Sequence, residues 1–312
     1  MNYKDAGVNV ELASDLVDKI KPYSNQIGNF AATCPFPYSA GSDLVMSCDG
    51  VGTKVLLARY AKDVLYRPMN SIGQDCVAMV VNDILCENAE PLYFMDYFAT
   101  GELEESNYLE VITGINDACK SIDVKLVGGE TAELPGMFKT RQNFDVCGFG
   151  VGCKIDDTKK RMQKGDVLIG LYSSGLHSNG FSLINKLMDD DHSIDRTPEL
   201  IENLLAPTKI YKDDLNEFRK KMVDIKVAAN ITGGGWSNLD RVVDQKSSIN
   251  WKTKEKSFYA HEELFEWIQT KAELSNEEMF NIFNCGIGMM LVVNPKNLKS
   301  VNVNYEFLGT IE

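Results

Sequence analysis

The stretch Asp43-Leu44-Val45-Met46-Ser47-Cys48-Asp49-Gly50-Val51-Gly52-Thr53-Lys54 decides how the chain is read. Asp43 to Cys48 has the pattern of a strand, and Asp49-Gly50 stops it. The two glycines let the backbone pass close to a ligand, with N–H groups facing phosphate oxygens. Lys54 adds a point charge and Thr53 a hydroxyl. Asp49 adds a hard oxygen of the kind Mg²⁺ prefers. The G-x-x-x-x-G-K-[ST] spacing of a Walker A loop is absent. Asp-Gly is also a strong hairpin signal, so this segment alone leaves a plain turn open.

Outward from it, elements mix without a strict βαβ rhythm. Asn70 to Cys86 predicts a helix, with apolar residues at Ile72, Cys76, Val77, Met79, Val80 and Ile84. Pro91 to Ala99 predicts a strand and Glu104 to Ser121 a helix. Val124 to Val127 predicts a short strand stopped by Gly128-Gly129. Asn143 to Lys154 predicts a long strand whose small residues permit close backbone approach. Asp156 to Gly165 is charged, without apolar periodicity, and reads as a linker. Beyond it come a strand at Asp166–Leu171, helices at Asn179–Met188 and Ala206–Lys221, and a strand at Val227–Ile231. Helices near His261–Lys271 and Asn276–Phe283 precede a strand at Asn284–Val293. The expectation is an α+β protein of two domains, residues 1–155 and 165–312.

A net charge of −13, from 45 acids against 32 bases, gives no global attraction for nucleic acid or an anionic membrane. A phosphorylated metabolite would need a local site. The polar N-terminus shows no signal peptide, and no apolar run approaches a membrane span, so a cytoplasmic enzyme is expected. The eight cysteines form no C-x-x-C pair and read as reduced, mostly buried thiols.

Carboxylates recur in apolar company. Asp75 and Asp83 lie eight residues apart on one predicted helix and share a face to within roughly 80°. A carboxylate on a core-facing stripe needs a partner, and a bound cation is one. A solvated face or a hydrogen bond within the helix is the other reading. Gly128-Gly129-Glu130-Thr131 repeats the theme of a strand end, two glycines and an acid. In the second half, Ser173-Ser174-Gly175-Leu176-His177-Ser178-Asn179-Gly180 joins a strand to a helix and suits an anion. His177 is a candidate acid/base or substrate donor, or an ordinary loop histidine. Thr232-Gly233-Gly234-Gly235 is an anion nest or a flexible turn. No G-x-S-x-G, H-E-x-x-H or basic–aromatic stripe points to hydrolysis or nucleic acid.

Further segments complete an ordered set: Tyr3-Lys4-Asp5-Ala6-Gly7-Val8, Val81-Asn82-Asp83, Gly128 through Met137, Leu205-Ala206-Pro207-Thr208 and Phe283-Asn284-Cys285-Gly286. From Tyr3 to about Gly309 the chain resembles the phosphoribosylformylglycinamidine cyclo-ligase (aminoimidazole ribonucleotide synthetase) family. Single motifs are shared with selenophosphate synthetase, thiamine-monophosphate kinase and an amidotransferase of the preceding purine step. The resemblance implies a homodimer in which the sheets of two N-terminal α/β halves pair into a barrel, flanked by C-terminal α+β domains. It implies ATP and Mg²⁺, and ring closure of formylglycinamidine ribonucleotide after phosphorylation of its amide oxygen. By motif position, Asp49, Asp75, Asp83 and Glu130 would hold Mg²⁺. Gly50, Gly52, Thr53, Lys54, Gly129, Glu130 and Thr131 would hold the nucleotide. Ser174, Gly175, His177, Asn179, Gly233 and Gly234 would face substrate, with His177, Lys54 and Asp83 in catalytic roles. The stretch Lys21–Ala31 is shorter than the family's glycine-rich loop there, and the chain stops at Glu312, where family members continue with a further strand. Another phosphoryl-transfer enzyme of this superfamily, or a non-catalytic nucleotide-binding relative, are the alternatives.

Overall fold

The computed structural model describes residues 15–19, 21–24, 29–36, 43–156, 160–191, 193–243, 247–252 and 258–312. The Tyr3–Val8 motif, residues 25–28 of the loop before the first core strand and residues 157–159 of the expected linker lie outside them.

The first half builds β1 (Ala32–Pro35), β2 (Asp43–Gly50), α1 (Lys54–Leu65), α2 (Asn70–Cys86), β3 (Ala89–Thr100), α3 (Glu105–Ser121), β4 (Lys125–Glu133) and β5 (Phe144–Lys154). These strands form one sheet in the order β1-β2-β5-β3-β4. Its pairs are antiparallel except β3–β4, which is parallel and uses α3 as its crossover. The second half builds β6 (Val167–Tyr172), α4 (Phe181–Asp190), α5 (Pro198–Leu204), α6 (Lys212–Lys220), β7 (Ile225–Asn230), β8 (Ile249–Trp251), α7 (Glu262–Ala272), α8 (Asn276–Ile282), β9 (Ile287–Val293) and β10 (Tyr305–Ile311). Its sheet is antiparallel, in the order β7-β9-β6-β10-β8. This is the expected α+β class.

Helix α2 is the hinge-pin of the molecule. It is apolar on nearly every side, and Cys76 through Asn82 are all buried. One face lies on the N-terminal sheet and another touches β7. The small residues of β5 permit this: a Cβ on Gly150 or Gly152 would come within 2.6 and 2.8 Å of Val80 and Ile84 side-chain atoms. On the opposite face of the sheet, Tyr93, Met95 and Tyr97 of β3 and Phe149 of β5 are exposed.

Four local readings change. Beta4 continues through Gly128-Gly129 to Glu133, because pairing with β3 outweighs the glycines' weak strand preference. Residues 206–211 are irregular, not helical, and only Lys212–Lys220 forms a helix. Their backbone groups are taken by α1 and α2: Ala206 O accepts from Lys54, Thr208 N–H donates to Asp75, and Tyr211 N–H donates to Asn82. Helix α1 and strand β10 were not expected. Beta10 sits inside its sheet, between β6 and β8.

Candidate functional site

Strand β2 delivers Asp49 to the mouth of a cavity of about 510 Å³ between the two halves. Helix α2 delivers Asp83 to the same cavity. Backbone of Gly50–Thr53 forms one wall, and residues 178–182 and Gly233 form the other. Gly180 sits at φ 80 and caps α4, and a Cβ there would meet the Phe283 ring at 2.1 Å. Only glycine therefore fits, and the N-terminal N–H groups of α4 open at the cavity, where an anion is favoured. Asn179 lines it too, and its buried amide nitrogen has no acceptor among the described residues.

The two carboxylates accept few hydrogen bonds, none of them from a charged group. Asp49 accepts from Gly50 N–H at 2.8 Å. Asp83 accepts from Asn230 at 2.9 Å and from Ser47 at 3.5 Å. Burial raises the pKa of Asp49, and burial with the Asp49 charge pushes Asp83 up to about 7. Two acids in such a place are short of positive charge. Arg241 supplies some: it lines the cavity, stacks over the Phe30 ring at 5.1 Å, and lowers both carboxyls. Among the described residues no group of three or more His, Cys, Asp or Glu side chains is arranged around a metal. Mg²⁺ does not need one, since it commonly takes one or two carboxylates together with phosphate oxygens and water. Asp49 and Asp83 fit that role.

Several expected site residues are elsewhere. Lys54 is fully buried, 2.9 Å from one Asp75 oxygen and 3.0 Å from the other, and donates to the carbonyls of His177 and Ala206 at 2.8 Å each. Asp75 also accepts from Thr208 N–H and Oγ. Lys54 as a phosphate ligand and Asp75 as a metal ligand are therefore corrected: the three Lys54 donor directions are used inside the protein, and Asp75 is fully buried against Lys54 and Thr208 in a lock between the halves. His177 is corrected likewise. It is buried at φ 61, and its Nε2 accepts from Ser174 N–H at 3.3 Å. Burial, then the Lys54 charge, lowers its pKa to about 3, so the ring stays neutral and faces the core. Substituting His177→Gln is expected to leave the pH dependence of turnover unchanged; loss of a titrating limb from the pH–rate profile would restore an acid/base role.

Ser174 donates to Pro207 O and Gly175 O accepts from Asn284, so both brace the loop from behind rather than face the cavity. Gly234, at φ 90, turns the chain into the 3-10 helix Gly235–Arg241. Gly129, Glu130 and Thr131 lie across the sheet. Gly50 pairs with Cys147, which pairs with Tyr97, which pairs with Glu130. Three strand spacings, roughly 14 Å, separate Glu130 from Gly50 within one chain. Glu130 is corrected as a metal ligand of the Asp49 site of its own chain. The sequence reading missed Arg241, Asn230 and Ser47. None stands in a motif; only Arg241, closing the 3-10 helix that follows the Thr232–Gly235 loop, offered a signal.

A two-domain fold with this site defines a known class. Residues 30–153 match the AIR synthase related protein N-terminal domain, and residues 163–309 match the corresponding C-terminal domain. The chain belongs to the AIR synthase related superfamily. Its structure is similar to thiamine monophosphate kinase from Aquifex aeolicus, with a TM-score of 0.67 at 16% identity, covering 100% of this chain and 96% of that one. AaThiL complexed with AMPPCP and TMP gives 0.66 at 16% identity, covering 95% and 89%. Hydrogenase maturation protein HypE in complex with ATP gives 0.60 at 17% identity, covering 89% and 78%. At these identities the likeness shows a shared fold. No described helix is long and apolar enough to cross a membrane.

Proposed function

We propose that this chain is an ATP-dependent cyclo-ligase that closes formylglycinamidine ribonucleotide to aminoimidazole ribonucleotide, in the cytoplasm. The observation that carries it is the cavity where Asp49 and Asp83 converge opposite glycine-rich N–H walls from both halves. It is supported by two structures of similar fold in complex with AMPPCP and with ATP, and by the ordered motifs of the cyclo-ligase family. Residues 1–155 form the nucleotide-binding and dimerisation domain, and 165–312 the second domain.

An amide oxygen is a poor leaving group until it is phosphorylated. In the proposed reaction that oxygen attacks the γ-phosphorus and ADP leaves. A neighbouring nitrogen then attacks the same carbon, the C–O bond breaks, and inorganic phosphate departs as the nitrogen loses its proton. Phosphoryl transfer asks mainly for positioning and charge neutralisation. Backbone N–H groups around Gly50, Gly52 and Gly180 orient phosphate oxygens, and the Asn179 amide donates to a ligand oxygen. Arg241 faces the charge that develops. Asp49 and Asp83 would hold Mg²⁺, which neutralises phosphate charge.

Purified protein with ATP, Mg²⁺ and formylglycinamidine ribonucleotide should yield the aminoimidazole product with ADP and phosphate. The similarity to thiamine monophosphate kinase favours a second reading, transfer to a phosphate-monoester acceptor. Product formed only with thiamine monophosphate would select it.

The Asp83 carboxyl adds a pH dependence. In the folded chain it keeps its proton to about pH 7, whereas unfolded it would lose it near pH 4. Its contribution to the stability of the ligand-free protein therefore declines as pH rises from about 4 to 7. Divalent-cation affinity rises over the approach to 7, as the competing proton leaves. Magnesium titrations at pH 6 and pH 8 should show tighter binding at 8, and Asp83→Asn should flatten the difference. Equal binding at both values would exclude Asp83 from the cation site.

The exposed Tyr93–Met95–Tyr97–Phe149 face suits burial against a second copy, as a homodimer closing its two sheets into a barrel. Tyr97→Glu is expected to give a folded monomer in light scattering. A dimer unchanged by this charge would place the interface elsewhere.

A further inference from the structure

Asp49 has a thiol on either side of its backbone. In β2, Cys48 precedes it; in β5, Cys147 pairs with Gly50, the residue that follows it. Cys48 itself pairs with Phe149, so Cys48 and Cys147 are diagonal neighbours on one face of the sheet, while the Asp49 side chain leaves from the other. Gly50 gives Cys147 room: a Cβ on Gly50 would stand 3.6 Å from that of Cys147. With no side chain on that partner, the Cys147 thiol turns along the diagonal and meets Cys48 in a hydrogen bond.

Cys48 is exposed and lines the first cavity, so a small solute that enters the cavity reaches it. Exposure makes it the sulfur that reacts first. Cys147 is half-buried, and burial, then Cys48, pushes its thiol up to about 11, which leaves it as the slower, resolving partner. By contrast, Cys76, Cys119 and Cys285 are buried in the core, and Cys34 and Cys153 stand on opposite sides of Leu44, two strand spacings or roughly 10 Å apart.

We propose that Cys48 and Cys147 form a reversible disulfide on oxidation by a peroxide, and that the bridge switches off the Asp49–Asp83 site. The Cys48 sulfur attacks one oxygen of hydrogen peroxide and the O–O bond breaks. Hydroxide leaves and takes up the thiol proton as water, giving a sulfenic acid at Cys48. The Cys147 sulfur attacks that sulfur, the S–O bond breaks, and a second water carries off the Cys147 proton. Two thiols are oxidised to one disulfide as one peroxide is reduced to two waters. Diagonal neighbours lie roughly 7–8 Å apart at Cα, whereas a disulfide spans about 4.4–6.8 Å. Closing the bridge therefore draws the Cys48–Gly50 segment toward β5. Asp49 and the Gly50 N–H move with it, away from the positions phosphoryl transfer demands. The bridge is independent of the function proposed above; only its effect on nucleotide rests on that reading.

The full chain, reduced and then freed of reductant, is treated with one equivalent of hydrogen peroxide and mapped by peptide mass spectrometry without reduction. A linked pair of peptides carrying Cys48 and Cys147 is expected, lost on adding dithiothreitol, from a chain that stays single on a non-reducing gel. Affinity for a non-hydrolysable ATP analogue with Mg²⁺ should fall about fivefold or more on oxidation and return with dithiothreitol. Cys147→Ser, treated alike, should keep the affinity of its untreated form, and dimedone should label its Cys48. If Cys147→Ser fails to fold, Cys48→Ser, at an exposed position, makes the same comparison. A bridge between other cysteines, a covalent dimer, or oxidation that stops at Cys48 in the parent would overturn the pair. A formed bridge with unchanged analogue affinity, or an equal loss in Cys147→Ser, overturns the switch. A reduced protein that binds no analogue counts against the function proposed for the first cavity, while the mapping still decides the bridge.

Discussion

Replacing Lys54 by methionine should destabilise the protein by about 3–5 kcal/mol, the cost of leaving one member of a buried ion pair alone. Neither Lys54 nor Asp75 has any exposed surface. Without the ammonium, Asp75 keeps only Thr208 N–H and Oγ as donors, and the carbonyls of His177 and Ala206 lose theirs. The loss falls between the halves, so chemical denaturation should become less cooperative as well as earlier. Urea unfolding followed by circular dichroism and tryptophan fluorescence measures both. The double variant Lys54→Met/Asp75→Leu should recover much of the loss, since no buried charge remains. A single-variant cost under about 1 kcal/mol, the value of an exposed pair, would contradict the lock.

The second large effect concerns turnover. Asp49→Asn keeps the shape of the side chain and its bond from Gly50 N–H but removes the charge. Turnover should fall by roughly 10³-fold, which is several kcal/mol of charge stabilisation withdrawn from the transferring phosphoryl group. Stability should move the other way. Burial raises the Asp49 pKa and the Asp83 carboxyl shares the cavity, so at pH 8 the ionised pair strains the ligand-free fold. A melting temperature equal to or above the parent's, with activity lost, is the expected pair of results. Near-normal turnover would remove Asp49 from the site.

The contrast between these residues shows what the sequence could and could not convey. Asp49, Asp83, Asn179 and Gly233 were legible because each stands beside glycines or in a motif, and the structure brings them to one cavity. Lys54 stands in the same motif, yet the start of a helix at Lys54 turns its side chain inward, toward a partner 21 residues on. No spacing rule distinguishes a lysine that meets phosphate from one that meets a buried aspartate. His177 is similar: its loop faces the cavity through Ser178–Gly180, while its own ring packs behind it. Asn230 was invisible because its partner Asp83 lies on α2, in the other half, and Arg241 offered only its place after the Thr232–Gly235 loop, since Phe30 beneath it lies far back in the chain.

In the fold, the long periodic elements were legible and the misses were tertiary in origin. Helix α2 and strand β5 carry their own patterns. Residues 206–211 looked helical, with Pro207 at a suitable first position, but α2 takes the backbone groups that a helix would use. Beta4 was cut short at Gly128 on local preference, and β3 supplied the pairing that extends it. Strand β10 completes its sheet only by lying between β6 and β8, from which its own sequence gives no sign.

The proposed chemistry makes the amide oxygen of the substrate leave as part of inorganic phosphate. Labelling that oxygen with oxygen-18 and analysing the released phosphate by mass spectrometry tests it most directly. We expect one labelled oxygen in each phosphate formed, with ADP and the aminoimidazole product in equal amounts. Unlabelled phosphate, released without ring closure, would show hydrolysis of ATP by water and contradict the assignment.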